Sequence, residues 1–379
     1  MSAIERRDAV IVGGGPSGST LARALVAAGA SVALLDKRAF PRDKTCAGWI
    51  TPAVVENLRL DLEEYRRGRV LQPIHGFRVA RMGAAPLHND HGAAPVSYGI
   101  RRCEFDHYLL ERCGAELRTA TPVESLERAG RDWLVNGTLR TPLLVGAGGH
   151  FCPVARALGA DLGRGEAVVG AQEFEVRLTA EQAARSPVRG DTPQLYFSPD
   201  LAGYAWVMRK GDWLNVGIGR RGPRQLAEHF DRFLADMVHA GVLEDAVAGT
   251  RRNGHAYLLY PHAARPLLAD GALLIGDAAG LAYPESGEGI RPAIESALMA
   301  AEAIRACDGN YTAERLAGYA KAIEARYGAR TQRSPGMQPG LPGMLKQLAA
   351  SLLLRTHWFT QEIVTRRWFL HEHVAPLRA

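Results

Sequence analysis

The sequence predicts an α/β fold, in which a Rossmann-like domain is interrupted by a strand-rich domain with an antiparallel sheet and is followed by a helical C-terminal segment. Three observations predict this arrangement. A strand, a glycine-rich turn, a helix and a second strand open the chain, alternating apolar and polar residues dominate about 165–255, and a buried strand with another glycine-rich turn follows at 272–307. The expected units are a discontinuous nucleotide-binding domain of residues 1–70, 100–160 and 256–330, a sheet domain of residues 71–99 and 161–255, and a C-terminal segment of residues 331–379.

The first element has the spacing of a dinucleotide-binding turn. Residues 9–36 read AVIVGGGPSGSTLARALVAAGASVALLD, an apolar strand, a glycine turn, a helix and a second apolar strand. Gly13, Gly15 and Gly18 supply the GxGxxG spacing, which serves a tight turn, close approach of the backbone to a pyrophosphate, and packing of the helix on the strand. Free N–H groups at Ser17 and Gly18 would face the phosphates.

An acid ends the second strand of this unit. Asp36 lies 18 residues beyond Gly18, where it can bind the hydroxyls of an adenosine ribose. Lys37 and Arg38 follow and would suit a 2′-phosphate, but the carboxylate of Asp36 would repel that group. A GxGxxG spacing can arise by chance in a chain with 41 glycines, yet its surroundings favour binding of a nucleotide with an unphosphorylated ribose.

Composition excludes several classes of protein. The chain of 379 residues carries 46 Lys and Arg against 40 Asp and Glu, with no basic stripe interleaved with aromatic residues, so we expect no nucleic-acid partner. It shows neither a signal-peptide pattern nor a run of about 18 apolar residues, so we expect a cytoplasmic location without a membrane span.

The five cysteines lie at positions 46, 103, 113, 152 and 307. They form no CxxC pair and no Cys/His pattern at zinc spacing, which excludes a metal site and a disulfide framework. Cys46, in the segment KTCAGW, lacks a nearby histidine base of the kind that a cysteine nucleophile usually needs. Cys152 is expected to pack as a small apolar residue.

A second glycine-rich segment reads LLIGDAAGLAYPESGEGI at 273–290. A buried strand ends at Gly276, Asp277 follows at its carboxyl end, and Gly287 and Gly289 open a long helix, which is the edge where open α/β sheets bind ligands. Asp277 can accept hydrogen bonds from a sugar-like chain, and the helix start would stabilise a negative group, such as the edge of a reduced flavin, by ~1 kcal/mol. The alternative interpretation is a second phosphate-binding turn.

These segments resemble the geranylgeranyl reductase family of the hydroxylase-fold flavoproteins. GxGxxG at 13–18, GDAAG at 276–280 and PESGEGI at 284–290 are similar to that family's motifs. KTCAGW at 44–49 resembles its K-x-C-G-G stretch, and GYAWVMRKGDWLNVGIG at 203–219 resembles its Y-x-W-x-F-P followed by G-x-G.

The resemblance implies that the cofactor is FAD. Gly13, Gly15, Gly18 and Asp36 would hold its adenosine diphosphate half, Arg102 its middle, Asp277 the ribityl chain, and residues 287–290 the isoalloxazine. The full set of cofactor-binding residues implied in this way is Gly13, Gly15, Pro16, Ser17, Gly18, Asp36, Lys37, Lys44, Cys46, Arg102, Gly276, Asp277, Gly287, Gly289 and Ile290.

The resemblance also implies an activity, the reduction of carbon–carbon double bonds in a hydrophobic isoprenoid, polyene or acyl-type substrate by hydride transfer from reduced flavin. Tyr204 and Trp206 would form the cavity wall opposite the flavin. Cys46 would supply a proton or adjust the flavin potential, with Lys44 favouring its thiolate, or would only pack. Glu288 is a second proton-relay candidate. An external donor, NAD(P)H or a redox protein, would supply electrons.

Departures from the family pattern leave alternatives open. Met208 and Arg209 replace F-P, which predicts a less rigid, cationic end of the cavity and a substrate with an anionic group. Gly148 and Gly149 stand where the wider superfamily has Asp-Gly, which disfavours a hydroxylase fed directly by a nicotinamide. A flavin-dependent monooxygenase or halogenase is the alternative enzyme, although W-x-W-x-I-P is absent, and a non-catalytic flavin-binding protein is the least favoured class.

The C-terminal segment begins with the cluster RSPGMQPGLPG at 333–343. An amphipathic stretch follows and is interpreted as a helix packed on the body, with a lid over an apolar channel or a helix on a membrane surface as alternatives. Its apolar face would consist of Leu345, Leu348, Leu352, Phe359 and Ile363. Four histidines are interpreted as ordinary polar residues of the surface or the core: His255, His262, His371 and His373.

Overall fold

The structure of the protein, a computed structural model, describes residues 4–162, 166–222, 224–330 and 343–377. In chain order its strands are β1 (Glu5–Arg6), β2 (Ala9–Val12), β3 (Val32–Leu35), β4 (Trp49–Ile50), β5 (Leu71–Ile74), β6 (Gly76–Arg81), β7 (Leu87–Asp90), β8 (Ser97–Ile100), β9 (Glu116–Arg118), β10 (Leu126–Ala129), β11 (Asp132–Val135), β12 (Leu139–Thr141), β13 (Leu143–Gly146), β14 (Val168–Arg177), β15 (Gln194–Phe197), β16 (Gly203–Lys210), β17 (Trp213–Arg221), β18 (Asn253–Leu258), β19 (Leu268–Ala269) and β20 (Ala272–Leu274).

The α-helices are distributed around these strands. They are α1 (Pro16–Ala27), α2 (Pro52–Leu58), α3 (Leu62–Tyr65), α4 (Arg102–Glu111), α5 (Pro153–Ala157), α6 (Ala180–Arg185), α7 (Leu226–His239), α8 (Asp245–Ala248), α9 (Ile290–Ala306), α10 (Ala313–Tyr327) and α11 (Gly343–Leu353). Two short 3₁₀ turns, Tyr260–His262 and Gly276–Ala278, and a π-helix, Phe359–Phe369, complete the described elements.

The nucleotide-binding unit is built on a six-stranded sheet. Its order is β19-β20-β13-β2-β3-β9, and all pairs are parallel except β19 with β20. Every residue of β2, β3 and β13 is buried, as expected for strands covered on both faces. Helices α1 and α9 pack against each other on this sheet. The sheet thereby places the starts of both helices at the carboxyl edge of β2.

The second large sheet has seven strands in the order β18-β14-β17-β16-β15-β6-β7, antiparallel except for the β15–β6 pair. Side chains alternate between its two faces. Phe174, Ala205 and Val216 pack on one face in an apolar cluster with Phe230 of α7. The other face carries Trp206 and its neighbours and turns toward the nucleotide-binding unit.

Two smaller sheets complete the described strands, β1-β12-β11-β10 and β4-β8-β5. The second of these lies beside the segment that carries Cys46, because β4 begins three residues after it and pairs with β8. The predicted fold class is confirmed: an α/β unit is interrupted by an antiparallel sheet and followed by helices. The residue boundaries of the two domains stay a prediction.

The C-terminal segment differs from the prediction of one amphipathic face. Leu348 and Leu352 of α11 are 58% and 57% exposed, so they do not pack on the body. Phe359 begins a separate π-helix, in which the period of an α-helix no longer applies. The side chain of Leu345 and most of the cluster at 333–343 lie outside the described residues. None of the described helices is long and apolar enough to cross a membrane.

Buried hydrogen bonds attach the end of the chain to α9. The Arg291 side chain, 0% exposed as a residue, donates to the carbonyls of Val374 at 2.7 Å and Ala375 at 3.0 Å. Glu295 accepts from Arg291 at 2.8 Å and from Arg326 at 2.6 Å. Because a buried charge is costly unless it is paired, this cluster fixes the C-terminal turn against the helix that begins at the second glycine-rich segment.

Candidate functional site

The first glycine-rich turn connects β2 to α1. A Cβ at Gly18 would collide with the carbonyl oxygen of Gly13, so the turn needs a glycine there. Helix α1 begins at Pro16, and no side chain caps it at Gly15. Ser17 is buried just inside the helix start. The first turn of α1 therefore presents backbone N–H groups and a positive dipole end to a ligand.

Asp36 stabilises this turn from the end of β3. Its carboxylate accepts hydrogen bonds from the N–H of Gly14 at 2.8 Å and of Arg38 at 2.9 Å. The guanidinium of Arg42 lies 3.9 Å from Asp36 and 3.4 Å from the buried carboxylate of Asp106. Lys37 is exposed. Arg42 was not predicted from the sequence, because no spacing rule connects it to the glycine turn.

Lys44, His255 and Asp277 form a polar cluster beyond the turn. Lys44 Nζ lies 2.5 Å from His255 Nε2 and 4.0 Å from Asp277, and His255 Nε2 lies 3.3 Å from Asp277 Oδ2. Burial lowers the pKa of Lys44 to about 8, although the charge of Asp277 opposes this. Burial and the charge of Lys44 lower the pKa of His255 to about 4, so its imidazole is neutral at pH 7.

The carboxylate of Asp277 stays ionised in this cluster. Burial alone would raise its pKa, but the hydrogen bond from His255 and the charge of Lys44 hold that pKa below its usual value. The contacts of His255 with Lys44 and Asp277 were not predicted for this histidine. Sequence spacing could not reveal them, because His255 lies on β18 and Asp277 lies in a 3₁₀ turn that follows a strand of the other large sheet.

Arg102 lies at the start of α4 beside these residues. It makes a bidentate pair with Asp106, with distances of 2.9 and 3.0 Å, and is buried. Burial opposes its charge, but Asp106 outweighs burial and raises the pKa of the guanidinium above its usual value. Arg42, Lys44 and Arg102 thus place three cationic side chains close together, and a bound diphosphate would need such cations.

The second glycine-rich segment meets the first turn directly. At Gly276 φ is +59°, and an added Cβ would lie 2.8 Å from Ser17 Oγ. The backbone N–H of Gly276 donates to the hydroxyl of Ser296 at 3.0 Å. Gly289 lies beside Asp277, because a Cβ there would be 3.2 Å from the carboxylate. Helix α9 begins at the buried Ile290. The fold therefore brings the two predicted glycine motifs to one edge of the sheet.

Glu288 is held within this segment. One carboxylate oxygen accepts from the N–H of Arg291 at 2.7 Å, and the other is buried without a hydrogen-bond partner among the described residues. Burial raises the pKa of Glu288 to about 7. Its carboxyl is consequently divided between protonated and ionised forms near neutral pH, which suits a group that exchanges a proton.

An apolar cavity of about 250 Å³ adjoins this segment. Tyr204 lines it, and its hydroxyl donates to the carbonyl of Ser286 at 2.5 Å. The described residues that line the cavity are Val169, Phe197, Leu201, Ala202, Gly203, Tyr204, Gly219, Arg220, Arg221, Tyr257, Leu259, Pro284, Glu285, Ser286, Gly287, Ala350, Leu354, Phe359 and Trp368. Residues of the C-terminal segment thus form part of its wall, which the sequence analysis kept only as an alternative.

Two predictions about this cavity are corrected. Trp206 is not among the described lining residues; it lies behind Tyr204, with the ring centroids 6.1 Å apart. Arg209 does not supply a cation to the cavity, because it points to the opposite face of β16 from Tyr204 and donates to the carbonyls of Gly211 and Ala183, both at 2.8 Å. Met208 is fully buried in an apolar cluster, which contradicts a loosened cavity end.

The predicted catalytic residues lie in one neighbourhood. Burial raises the pKa of the Tyr204 phenol well above its usual value, and the negative charges that Tyr257, Cys46 and Glu288 can carry raise it further. Cys46 is half-buried, and its sulfur accepts from the N–H of Gly48 at 3.4 Å. Cys152 is buried in the core of the nucleotide-binding unit.

His371 is a core histidine, one of the two positions expected for it. Its ring is buried and stacks on Tyr283 with 3.7 Å between centroids, and its Nε2 lies 3.3 Å from Ser286 Oγ. Burial and the charge of Arg291 lower its pKa to about 3. His371 therefore connects the end of the chain to the second glycine-rich segment as a neutral residue.

These features fit a long dinucleotide. One continuous edge holds the two glycine-rich turns, the uncapped start of α1 and the cations beside Asp277. The apolar cavity lies at the end of that edge, next to Gly287. FAD has the matching chemistry, with a central diphosphate, a polyhydroxyl chain and an aromatic ring system.

Comparison with known proteins gives the family. Residues 6–334 match the family described as "FAD binding domain". The chain is 28% identical to digeranylgeranylglycerophospholipid reductase 3 of Methanosphaera stadtmanae, over 87% of this chain and 85% of that protein. It is 30% identical to the menaquinone reductase of Mycolicibacterium smegmatis, over 78% of this chain and 76% of that protein.

An oxygenase also aligns along most of the chain. The 6-methylpretetramide 4-monooxygenase of Streptomyces rimosus is 27% identical, over 87% of this chain and 82% of that protein.

A crystal structure shares the fold. A geranylgeranyl bacteriochlorophyll reductase-like protein from Thermoplasma acidophilum superimposes with a TM-score of 0.71 at 22% identity, covering 100% of this chain and 94% of that one. Together with the two motifs at one sheet edge, these relationships show that the chain is a FAD-binding, flavin-dependent oxidoreductase of the geranylgeranyl reductase family.

Proposed function

We propose that this flavoprotein reduces carbon–carbon double bonds of a hydrophobic substrate of the isoprenoid, polyene or acyl type. The observation that carries the proposal is the cavity of about 250 Å³, whose wall is largely aromatic and aliphatic and which adjoins residues 284–287. The names of two relatives, which refer to a digeranylgeranyl lipid and to menaquinone, support a long apolar substrate.

Bound FAD in its reduced form supplies the hydride for such a reduction. The protein's own residues orient the substrate and exclude water. Tyr204, held by the carbonyl of Ser286, and Phe197 provide flat surfaces, and Gly219 leaves room between them and Tyr257. A double bond confined between such surfaces is presented in a fixed orientation, which is the main requirement of a hydride transfer.

A proton must reach the second carbon of the double bond, so that one hydride and one proton together saturate it. We assign this proton to the Cys46 thiol and a second proton-holding role to the Glu288 carboxyl, since both groups lie close enough to Tyr204 to influence its pKa. An external donor, either NAD(P)H or a redox protein, would return two electrons for each double bond reduced.

A substrate with an anionic group fits the same cavity. Arg220 and Arg221 line it, and Arg220 pairs with Asp200 at 2.8 Å through only one of its guanidinium nitrogens. Its Nε and Nη1 are buried without hydrogen-bond partners in the described parts of the chain. We propose that this end of the cavity accepts a carboxylate or phosphate of the substrate.

We further propose that α11 contacts a membrane surface when the substrate is delivered. Leu348, Leu352 and Leu353 are exposed on α11, and Trp358 follows with 65% of its surface exposed. Leu354 lies in the same segment but lines the cavity. An exposed apolar group next to an apolar cavity allows a lipid to pass from a bilayer into the protein without crossing water.

Turnover with an alkene tests the proposed activity. Enzyme loaded with FAD and photoreduced without oxygen should be reoxidised by a matching isoprenoid, polyene or unsaturated acyl compound, because the double bond is the electron acceptor. The flavin absorbance and a substrate mass increased by two hydrogens are the measurements. The saturated analogue is the control. Failure of every such compound to reoxidise the flavin, or an oxygenated product formed with consumption of oxygen, would contradict the proposal and favour the oxygenase activity of the Streptomyces relative.

Replacement of Cys46 tests its role. Cys46→Ala should lower kcat by roughly 100-fold, the usual effect of losing a positioned proton donor, with FAD still bound. Cys103→Ala is the matched control, because Cys103 is also half-buried but lies on α4. Activity of Cys46→Ala near that of the wild type would leave this thiol only a packing role.

The pH dependence tests Glu288. Because burial raises the pKa of this carboxyl to about 7, its protonated form predominates below that pH and is lost above it. We expect kcat to fall as pH rises through about 7 in the wild type and in Glu285→Gln, which changes an exposed acid of the same segment. Glu288→Gln should lose this limb of the profile. A limb that persists in Glu288→Gln would assign the titration to another group.

Vesicle binding tests the membrane contact. Leu352→Asp should reduce sedimentation with lipid vesicles several-fold, because a charged residue replaces an apolar one at the surface that would enter the headgroup region. Leu117→Asp changes another exposed leucine, on β9, and should bind vesicles like the wild type. Equal sedimentation of all three proteins would exclude this use of α11.

A further inference from the structure

A cluster of buried polar side chains lies directly beneath the segment that carries Cys46. Glu173 and Glu175 of β14, Lys210 of β16 and Asn215 of β17 share the sheet face that turns toward the nucleotide-binding unit. Glu173, Lys210 and Asn215 are 4%, 0% and 1% exposed. Polar groups are retained at such burial only where hydrogen bonds compensate for the loss of water.

Asn215 connects Cys46, the proposed proton donor, with Trp206, the residue behind Tyr204. Its amide nitrogen donates to the carbonyl oxygen of Cys46 at 3.2 Å and to a carboxylate oxygen of Glu173 at 2.6 Å. Its amide oxygen accepts from the indole N–H of Trp206 at 2.7 Å. One short side chain therefore fixes the distance between the Cys46 backbone and the aromatic residue behind Tyr204.

The remaining polar groups of this segment are held in the same way. Burial raises the pKa of Glu173 to about 7, and the backbone of Cys46 is close enough to oppose this shift. Lys210 donates to the carbonyls of Ala47 at 3.0 Å and Ile100 at 2.9 Å, and it pairs with Glu175 at 2.6 Å. Buried side chains from the sheet thus bind the carbonyls of Cys46, Ala47 and Ile100.

The segment has no free space in which to shift. A Cβ at Gly48 would collide with the carbonyl of Ile100 and would lie 2.8 Å from Lys210 Nζ. Close packing at Gly48 and the hydrogen bond to the Cys46 carbonyl together restrict the position of the Cys46 backbone, so the χ1 rotamer largely decides where its sulfur lies.

We propose that Asn215 is a positioning residue, which fixes Cys46 with respect to Trp206 and thereby aims the thiol at the substrate. Glu173 supports it by accepting from its amide nitrogen, and Lys210 supports it by binding the carbonyls of Ala47 and Ile100. The catalytic consequence rests on the proposed function, whereas the fixed position of Cys46 does not. Asn215 itself contacts neither the cavity nor the glycine-rich turns among the residues that the structure describes.

Asn215→Leu removes these three hydrogen bonds, and a longer one of 3.4 Å to Glu175, at nearly constant volume. We expect iodoacetamide to label Cys46 of the FAD-free variant roughly fivefold faster than Cys46 of the FAD-free wild type. This factor corresponds to the net stabilisation that one hydrogen bond gives to the segment. Peptide mass spectrometry separates Cys46 from Cys103, which serves as the internal reference. In the loaded enzyme kcat for the alkene should fall by roughly 10- to 100-fold, with KM changed much less, because misplacement affects the reaction more than binding.

Gln194→Leu is the matched control. It removes a buried amide from the opposite face of the same sheet, where Gln194 accepts from Tyr196 at 2.6 Å, so Cys46 labelling should match the wild type. Trp206→Phe keeps an aromatic ring but removes the indole donor, and it should raise Cys46 labelling in the same direction by a smaller factor.

Two outcomes would overturn the proposal: folded Asn215→Leu or Trp206→Phe protein whose Cys46 labels at the wild-type rate, or a Gln194→Leu change as large as that of Asn215→Leu. Far-UV circular dichroism and FAD content verify folding in each case. If labelling changes as expected while no alkene is reduced by the wild type, the positioning of Cys46 stands and the proposed function fails.

Discussion

The close approach of two backbone turns governs the site. Gly276 faces Ser17 with space for a hydrogen but not for a methyl group, so the turn that follows β20 can lie beside the start of α1. Every other feature follows from this approach. It places Asp277 within reach of Lys44 and His255, and it directs the start of α9 toward the apolar cavity. A larger side chain at position 276 would strain this turn, where φ is +59°, and would push the Ser17 side chain away from it.

The sequence predicted the parts of the site that depend on local geometry. The turn at 13–18 and the segment at 284–290 could be recognised because glycine spacing reports backbone conformation over a few residues. Contacts between strands were not accessible in this way. His255 and Asn215 acquire their partners from the pairing of β18, β14 and β17, and register is decided by packing of the whole sheet. The mistaken assignment of Arg209 was avoidable, since a residue three positions after Trp206 in a strand must face away from it. The π-helix could not be anticipated from a pattern that assumes 3.6 residues per turn.

Charge is distributed differently at the nucleotide edge and in the polar cluster beneath Cys46. The nucleotide edge gathers Arg42, Lys44 and Arg102 around carboxylates that leave room for a ligand, so its positive charge is available for phosphate groups. Beneath Cys46, by contrast, Lys210 and Glu175 neutralise each other and bind backbone atoms. Ion pairs of similar composition are therefore placed beside the nucleotide edge in one part of the site and bind backbone carbonyls in the other, and their neighbours rather than their burial distinguish them.

The cavity wall is completed late in the synthesis of the chain. Leu354, Phe359 and Trp368 cover surfaces of β15 and β16, which precede them by more than a hundred positions. During synthesis the nucleotide edge and the sheet can fold while Phe197 and Tyr204 still face solvent, and the enclosed volume forms only when the later segment emerges and Arg291 captures the carbonyls of Val374 and Ala375. A nascent chain of this protein would therefore expose Phe197 and Tyr204 until the segment with Leu354, Phe359 and Trp368 emerges from the ribosome.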